Sequence, residues 1–191
     1  MRFFSKTVIT MAVAAVMVCI MSLAGCSTAN QSGLTKAQQK ELRQKEDSLR
    51  ADIARKAVMD GHFIAIADQI TLRNGRVFHV NTGLNYVALN GTDGIVQVAS
   101  NGPWLGANGL GGVTLKGIAS DVKTSFDNKE NLSLRMRVIG GGLSGEVTLL
   151  MPKGSNRASV QIRGTFSFRQ LTMYCTIEPY DGTGVIEGRS L

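Results

Sequence analysis

Apolar and polar side chains alternate along most of the second half of the chain. Asn131-Leu132-Ser133-Leu134-Arg135-Met136-Arg137-Val138 is apolar at every even position and polar at every odd one, the period-two signature of a strand with one wet face. Leu143, Val147, Leu149 and Met151 form the next such face, opposite Ser144, Glu146 and Thr148. After a turn at Pro152-Lys153-Gly154-Ser155-Asn156, Ala158, Val160 and Ile162 alternate with Arg157, Ser159, Gln161 and Arg163. Leu171, Met173, Cys175 and Ile177 repeat the pattern against Thr172, Tyr174, Thr176 and Glu178. Successive strands joined by short turns read as an antiparallel meander.

Shorter apolar runs precede them, roughly His62 to Thr71, Arg76 to Val80, Asn85 to Leu89 and Gly94 to Ala99, separated by turn residues at Arg73-Asn74-Gly75 and Asn90-Gly91-Thr92-Asp93-Gly94. Between these groups the phase changes: Val113 and Leu115 are odd-numbered, whereas Ile118, Val122 and Phe126 are even-numbered. A β-bulge at Gly117 would reset it and bend the strand.

Ahead of the strands, Thr35-Lys36-Ala37-Gln38 matches a capping box that opens a helix. Pairs at four-residue spacing, Glu41 with Lys45, Glu46 with Arg50 and Asp52 with Lys56, support it. Leu42, Leu49, Ile53 and Ala57 lie on one stripe, and Ile53, Ala57, Val58 and Met59 are candidates to dock on the body. Gly61 is placed to end the helix. The expected fold is therefore mainly β: one N-terminal helix, then a meander of about eight or nine strands forming a small barrel-like fold, which removes exposed edges. A β-sandwich is the alternative.

The first residues change the picture of where this body sits. MRFFSKTVITMAVAAVMVCIMSLAGC places Arg2 and Lys6 before an uncharged run and ends in Leu23-Ala24-Gly25-Cys26, a lipoprotein signal peptide over residues 1–25 with Cys26 as the lipidated residue. Acyl chains at about 0.8 kcal/mol per buried methylene give a lasting membrane anchor. Residues 26–34 are a small, polar tether, 35–60 a spacer helix, 61–178 the β domain and 179–191 a tail. Loss of Arg2 and Lys6 with the signal lowers the formal charge from +7 to +5. That mild excess in an exported protein excludes nucleic acid as a partner and suits anionic envelope material. With Cys19 removed and Cys26 acylated, Cys175 remains alone, without a disulfide partner, and reads as a small buried hydrophobe.

The lipobox, the segment ADIARKAVMDGHFIAIADQI, the block VQVASNGPWLGANGLGGVTLKGIASDVK and the hairpin GEVTLLMPKGSNRASVQI together resemble a Bacteroidota lipoprotein family, domain-of-unknown-function family four-two-five-one. The resemblance covers most of the mature chain and implies an envelope protein, with no catalytic residues to carry over. In such bacteria, surface-exposed lipoproteins often carry acids soon after the cysteine. The Ser27-Thr28-Ala29-Asn30-Gln31 that follows Cys26 has none, which implies a body facing the periplasm, and Ser27 rather than Asp directly after the cysteine implies an outer-membrane anchor.

Candidate chemistry is sparse. His62 and His79 are the two histidines, and neither has metal-ligand spacing. The acids are scattered, with Asp127 and Glu130 in a turn and Asp181 and Glu187 in the tail, positions that read as solvated. The expectation is a non-enzyme with no cofactor and no metal. The glycine-rich stretch Ser100 to Gly112 has the spacing Gly106-x-x-Gly109-x-Gly111 and leads into a strand. A phosphate loop would open a helix instead. The stretch reads as a lid or contact loop, with Trp104 and Leu105 as candidate partner or lid contacts. Arg135, Arg137, Arg157 and Arg163 fall on outward positions and are candidate anion contacts. Two functions fit: a non-catalytic structural or protein-interaction module of the envelope, or a lipocalin-like binder of a lipid or other apolar ligand. The second requires a cavity lined by residues such as Phe63, Leu134, Val147 and Val160.

Overall fold

The computed structural model describes residues 35–99, 112–165, 170–188 and 190. Among the described residues one helix, α1 (Lys36–Asp60), precedes nine strands: β1 (His62–Leu72), β2 (Val77–His79), β3 (Tyr86–Asn90), β4 (Asp93–Val98), β5 (Val113–Phe126), β6 (Leu132–Gly140), β7 (Leu143–Met151), β8 (Arg157–Gly164) and β9 (Gln170–Pro179). Every pairing is antiparallel, in the order β1-β3-β4-β5-β6-β7-β8-β9. The pairing of β1 with β9, from Phe63↔Pro179 to Leu72↔Leu171, closes the sheet on itself. The result is an eight-stranded barrel rather than a sandwich, with β2 as an extra strand on the far end of β1.

The alternation predicted for the later strands sorts their side chains cleanly. Leu132, Leu134, Met136 and Val138, then Val147, Leu149 and Met151, then Val160 and Ile162, then Leu171, Met173, Cys175 and Ile177 all enter one contiguous buried cluster. Phe63, Leu134, Val147 and Val160 each have 0 % accessible surface, so no void large enough for water adjoins them.

The phase change in β5 has a different origin from the one expected. Gly117 keeps the register of Val113 and Leu115, and the shift falls between Ser120 and Lys123. Asp121 takes a left-handed φ of 53° there, which aspartate tolerates better than most residues. Ile118 consequently points outward, 66 % exposed. Gly117 serves another purpose: a Cβ on it would lie 2.0 Å from the Ile139 carbonyl oxygen, so its hydrogen lets β5 and β6 close up at a tight corner.

The capping box forms at the start of α1. Gln38 N–H donates to Thr35 Oγ1 at 3.3 Å, and Thr35 N–H donates to Gln38 Oε1 at 2.9 Å. At the other end Gly61 adopts a φ of 72°, turning the chain into β1. The docked face of α1 is in part the predicted one: Ala57 and Val58 are buried as expected, whereas Ile53 and Met59 are not. Ala51, Ala54, Ala57 and Val58 are buried, while Leu42, Leu49, Ile53 and Met59 stay exposed. Ala54, Ala57 and Val58 join the barrel's buried cluster. The Arg55 guanidinium stacks over the Phe126 ring at 4.5 Å. Among the described residues every buried side chain belongs to the compact unit Leu42–Leu191.

Candidate functional site

Two surfaces stand out on the outside of the barrel, and they have opposite character. On the outer face of β5 to β8 the ladders place Arg137 opposite Glu146 and Glu146 opposite Arg163. One row along, Lys123 faces Arg135, followed by Thr148 and Gln161. Lys123, Arg135, Arg137 and Arg163 are all exposed. Among the described residues none of these four forms an ion pair. The neighbouring row carries Ile118 opposite Ile139, 66 % and 51 % exposed.

Arg157 does not join this face. Its Nη1 donates to Asp68 Oδ2 at 2.6 Å and to Thr176 Oγ1 at 2.9 Å, bridging β8 and β9 to β1. That hydrogen bond holds the Asp68 carboxyl below its ordinary value, and the carboxylate in turn raises Arg157. Three of the four predicted arginines are thus brought together, and Lys123 takes the place of the fourth. Trp104, Leu105 and Cys26 lie outside the described residues.

The second surface lies over β1, β3 and β4, where apolar side chains occur on both faces. Ile64, Tyr86, Ala88 and Ile95 point outward and are buried, covered by Tyr180 and Val185 of the C-terminal segment. That segment runs across the sheet as a strap. Its clasp is Gln97, which is 0 % exposed. Gln97 Nε2 donates to Leu84 O at 3.1 Å and to Ile186 O at 2.8 Å, while Oε1 accepts from Gly188 N at 2.7 Å and Thr114 Oγ1 at 3.2 Å. Both donors and both acceptor sites of the amide are therefore used. Lys116 Nζ anchors the strap further through Glu187 Oε2 at 2.8 Å, which raises the lysine above its usual value. Burial pushes the Tyr86 and Tyr180 hydroxyls upward as well, Glu187 adding to both shifts.

Beside the strap an open groove of about 410 Å³ is floored by Ile64 and Ile66 and walled by Tyr180 and Val185, with His62 and Glu178 on its rim. His62 Nδ1 is 2.7 Å from Asn90 Oδ1, a pairing that fixes the ring at the mouth of the groove.

The acids that read as solvated have structural partners. Asp127 Oδ1 accepts from the backbone N–H groups of Lys129 and Asn131 at 2.8 and 2.9 Å, shaping the β5–β6 turn, and these bonds lower its pKa. Glu130 pairs with Lys153, which lowers the carboxyl. Asp181 accepts from the Thr183 hydroxyl and N–H, at 2.7 and 2.9 Å, ordering the entry to the strap. Cys175 sits in the barrel interior, and burial raises its thiol far from reactivity. Among the described residues no group of His, Cys, Asp and Glu is arranged to hold a metal.

Sequence reasoning missed the strap and its clasp, although a signal was present. HFIAIAD, NYVALN and GIVQVA lack the strict alternation of the later strands. Strands apolar on both faces are covered on both faces.

A family model for a domain of unknown function, DUF4251, matches residues 45–177. That range ends before the strap. Among curated proteins no match was found. Of solved structures, the crystal structure of a DUF4251 family protein from Bacteroides eggerthii DSM 20697 is similar, with 35 % identity, a TM-score of 0.62, and coverage of 71 % of this chain and 91 % of that one. The shared barrel and the match over most of the chain place the protein in the DUF4251 family, whose domain has no assigned function.

Proposed function

We propose that the protein is a lipid-anchored envelope module that acts by contact through its outer surface, held at the outer membrane by Cys26 with its body in the periplasm. The observation that carries this reading is the burial of the barrel lining. Phe63, Leu134, Val147 and Val160, the side chains a carrier would turn toward its ligand, touch no accessible space. A lipocalin-like role would need that space. The polar groups with resolved interactions support the same reading, since Asp68, Asp127, Glu130 and Asp181 hold turns and strands together. That is structural work rather than acid–base chemistry.

The test is organic extraction of the protein purified from native membranes, followed by mass spectrometry. No apolar molecule should appear in stoichiometric amount beyond the acyl chains on Cys26. A stoichiometric lipid released from the body would replace this reading with the carrier. Substituting Cys26→Ser should abolish incorporation of labelled fatty acid and release the anchor, and unchanged labelling would remove the lipoprotein assignment.

A further inference from the structure

We propose that the outer face of β5 to β8 is a docking surface for an anionic lipid bilayer, a partner that rests on the reading of the protein as a contact module. The observation behind it is a coincidence of three properties on one sheet face. Four exposed cations, Lys123, Arg135, Arg137 and Arg163, are gathered by the β5–β6, β6–β7 and β7–β8 registers around Glu146, with Asp121 of the β5 bulge as the other neighbouring acid, so that cations outnumber acids by four to two. None of the four is neutralised by an ion pair among the described residues. This contrasts with Arg157, Lys116 and Lys153, whose charges are each answered by a carboxylate.

Charge alone would suit any polyanion. The third property narrows the choice. Ile118 and Ile139 stand side by side next to the arginine row and are mostly exposed, because the β5 bulge comes after Ile118 and leaves it facing out. A soluble phosphate or polyanion gains nothing from two exposed aliphatic side chains. A bilayer interface takes basic groups at the headgroups and aliphatic groups at the acyl boundary, and both contribute to binding. The intervening Ser120 and the opposed Ser144 are small, so the cations and isoleucines can reach one plane together. Each cation near an anionic surface strengthens binding by about fivefold at physiological salt.

The experiment is sedimentation of the body beginning at Thr35, which contains every buried side chain among the described residues, with vesicles of phosphatidylcholine alone or of phosphatidylcholine mixed with phosphatidylglycerol. Binding is expected to the mixed vesicles and not to the neutral ones, and to weaken as salt rises. Replacing Lys123, Arg135, Arg137 and Arg163 together by Gln should weaken it about tenfold or more. A charge-matched variant with Lys40, Arg43, Arg50 and Lys56 of α1 replaced by Gln controls for net charge and should change it less than about threefold. Ile118→Ser with Ile139→Ser should weaken vesicle binding while leaving any affinity for inorganic polyphosphate unchanged.

Thermal unfolding of each variant shows that it is folded. A face variant that does not fold is replaced by Arg135→Gln with Arg137→Gln, expected to retain the parent melting temperature and to lose vesicle binding in part. The proposal is overturned by an absence of binding to the anionic vesicles, by equal weakening from the face and helix variants, or by isoleucine variants that bind like the parent. An empty sedimentation result leaves the contact-module reading standing, because that reading fails on extracted ligand instead.

Discussion

Replacing Gln97 by Leu should release the strap. The substitution keeps the buried volume nearly constant, so its effect isolates hydrogen bonding from cavity formation. The Leu84 carbonyl and the Gly188 N–H lose their side-chain partner, and the Ile186 carbonyl keeps only the 3.5 Å bond from the Tyr86 hydroxyl. The Thr114 hydroxyl loses its acceptor too, although it can rotate. A buried polar group left unpaired costs about 1–3 kcal/mol. The chain can limit that cost by lifting the strap, so that Ile186 and Gly188 are rehydrated, but it then exposes Ile64, Tyr86, Ala88 and Ile95. Between these limits the expected destabilisation is about 2–4 kcal/mol, or a fall in melting temperature of about 5–15 °C for a body of this size. Circular dichroism of the parent and variant measures the midpoint, and hydrogen exchange at the Gly188 amide reports the strap directly. A midpoint within about 1 °C of the parent, together with retained protection at Gly188, would refute the role assigned to Gln97.

High pH should loosen the same region. Tyr86 and Tyr180 are raised chiefly by burial and Lys116 by its bond to Glu187, so each holds its proton more tightly when folded. Their contribution is complete below the ordinary values of 10.0 and 10.5 and is lost as pH rises through the folded ones. Melting temperature should therefore fall above pH 10.0, and less steeply in Tyr86→Phe; identical slopes would count against it. Asp68→Asn should cost no more than about 1 kcal/mol at neutral pH, since the pair with Arg157 is half exposed. Because the Asp68 carboxyl is lowered from 3.8, that difference should vanish as pH falls below this value, in denaturant titrations at several pH values. Gly117→Ala should destabilise by more than about 2 kcal/mol by forcing β5 from β6, and more than Gly94→Ala, whose Cβ would meet only the Val138 and Ala119 side chains. A thiol reagent should modify Cys175 only at the rate of unfolding, and rapid labelling of the native body would show that the barrel interior is open.

Local patterning made most of the barrel legible before any tertiary information. Alternation in residues 131–138, 143–151, 157–163 and 171–177, broken at the exposed Leu150, assigned the inward face of four strands, because a period of two leaves one way to bury most of the apolar set. The capping box at Thr35 and the stop at Gly61 bounded the helix through local hydrogen bonding and backbone freedom. Arg135, Arg137 and Arg163 were outward for the same reason.

Long-range choices were not written locally. Closure through β1 and β9 joins residues about a hundred positions apart, and nothing within either strand distinguishes a barrel from a sandwich. On the helix Ala57 and Val58 were legible as docking residues, but Ala51 and Ala54 are buried where the more apolar Leu49, Ile53 and Met59 are not, because what packs on the helix is decided by distant segments. The β5 bulge fell at Asp121 because a residue able to take a left-handed φ was available there, whereas Gly117 was needed to let two backbones meet. The register then decided which cations became neighbours, withdrawing Arg157 to Asp68 and admitting Lys123. The sequence by itself determined which side of each regular strand is wet, since that depends only on neighbours two residues apart. Tertiary structure alone decided what covers the second apolar face and which charges meet, since both depend on segments that are distant in the chain and adjacent only after the barrel has closed.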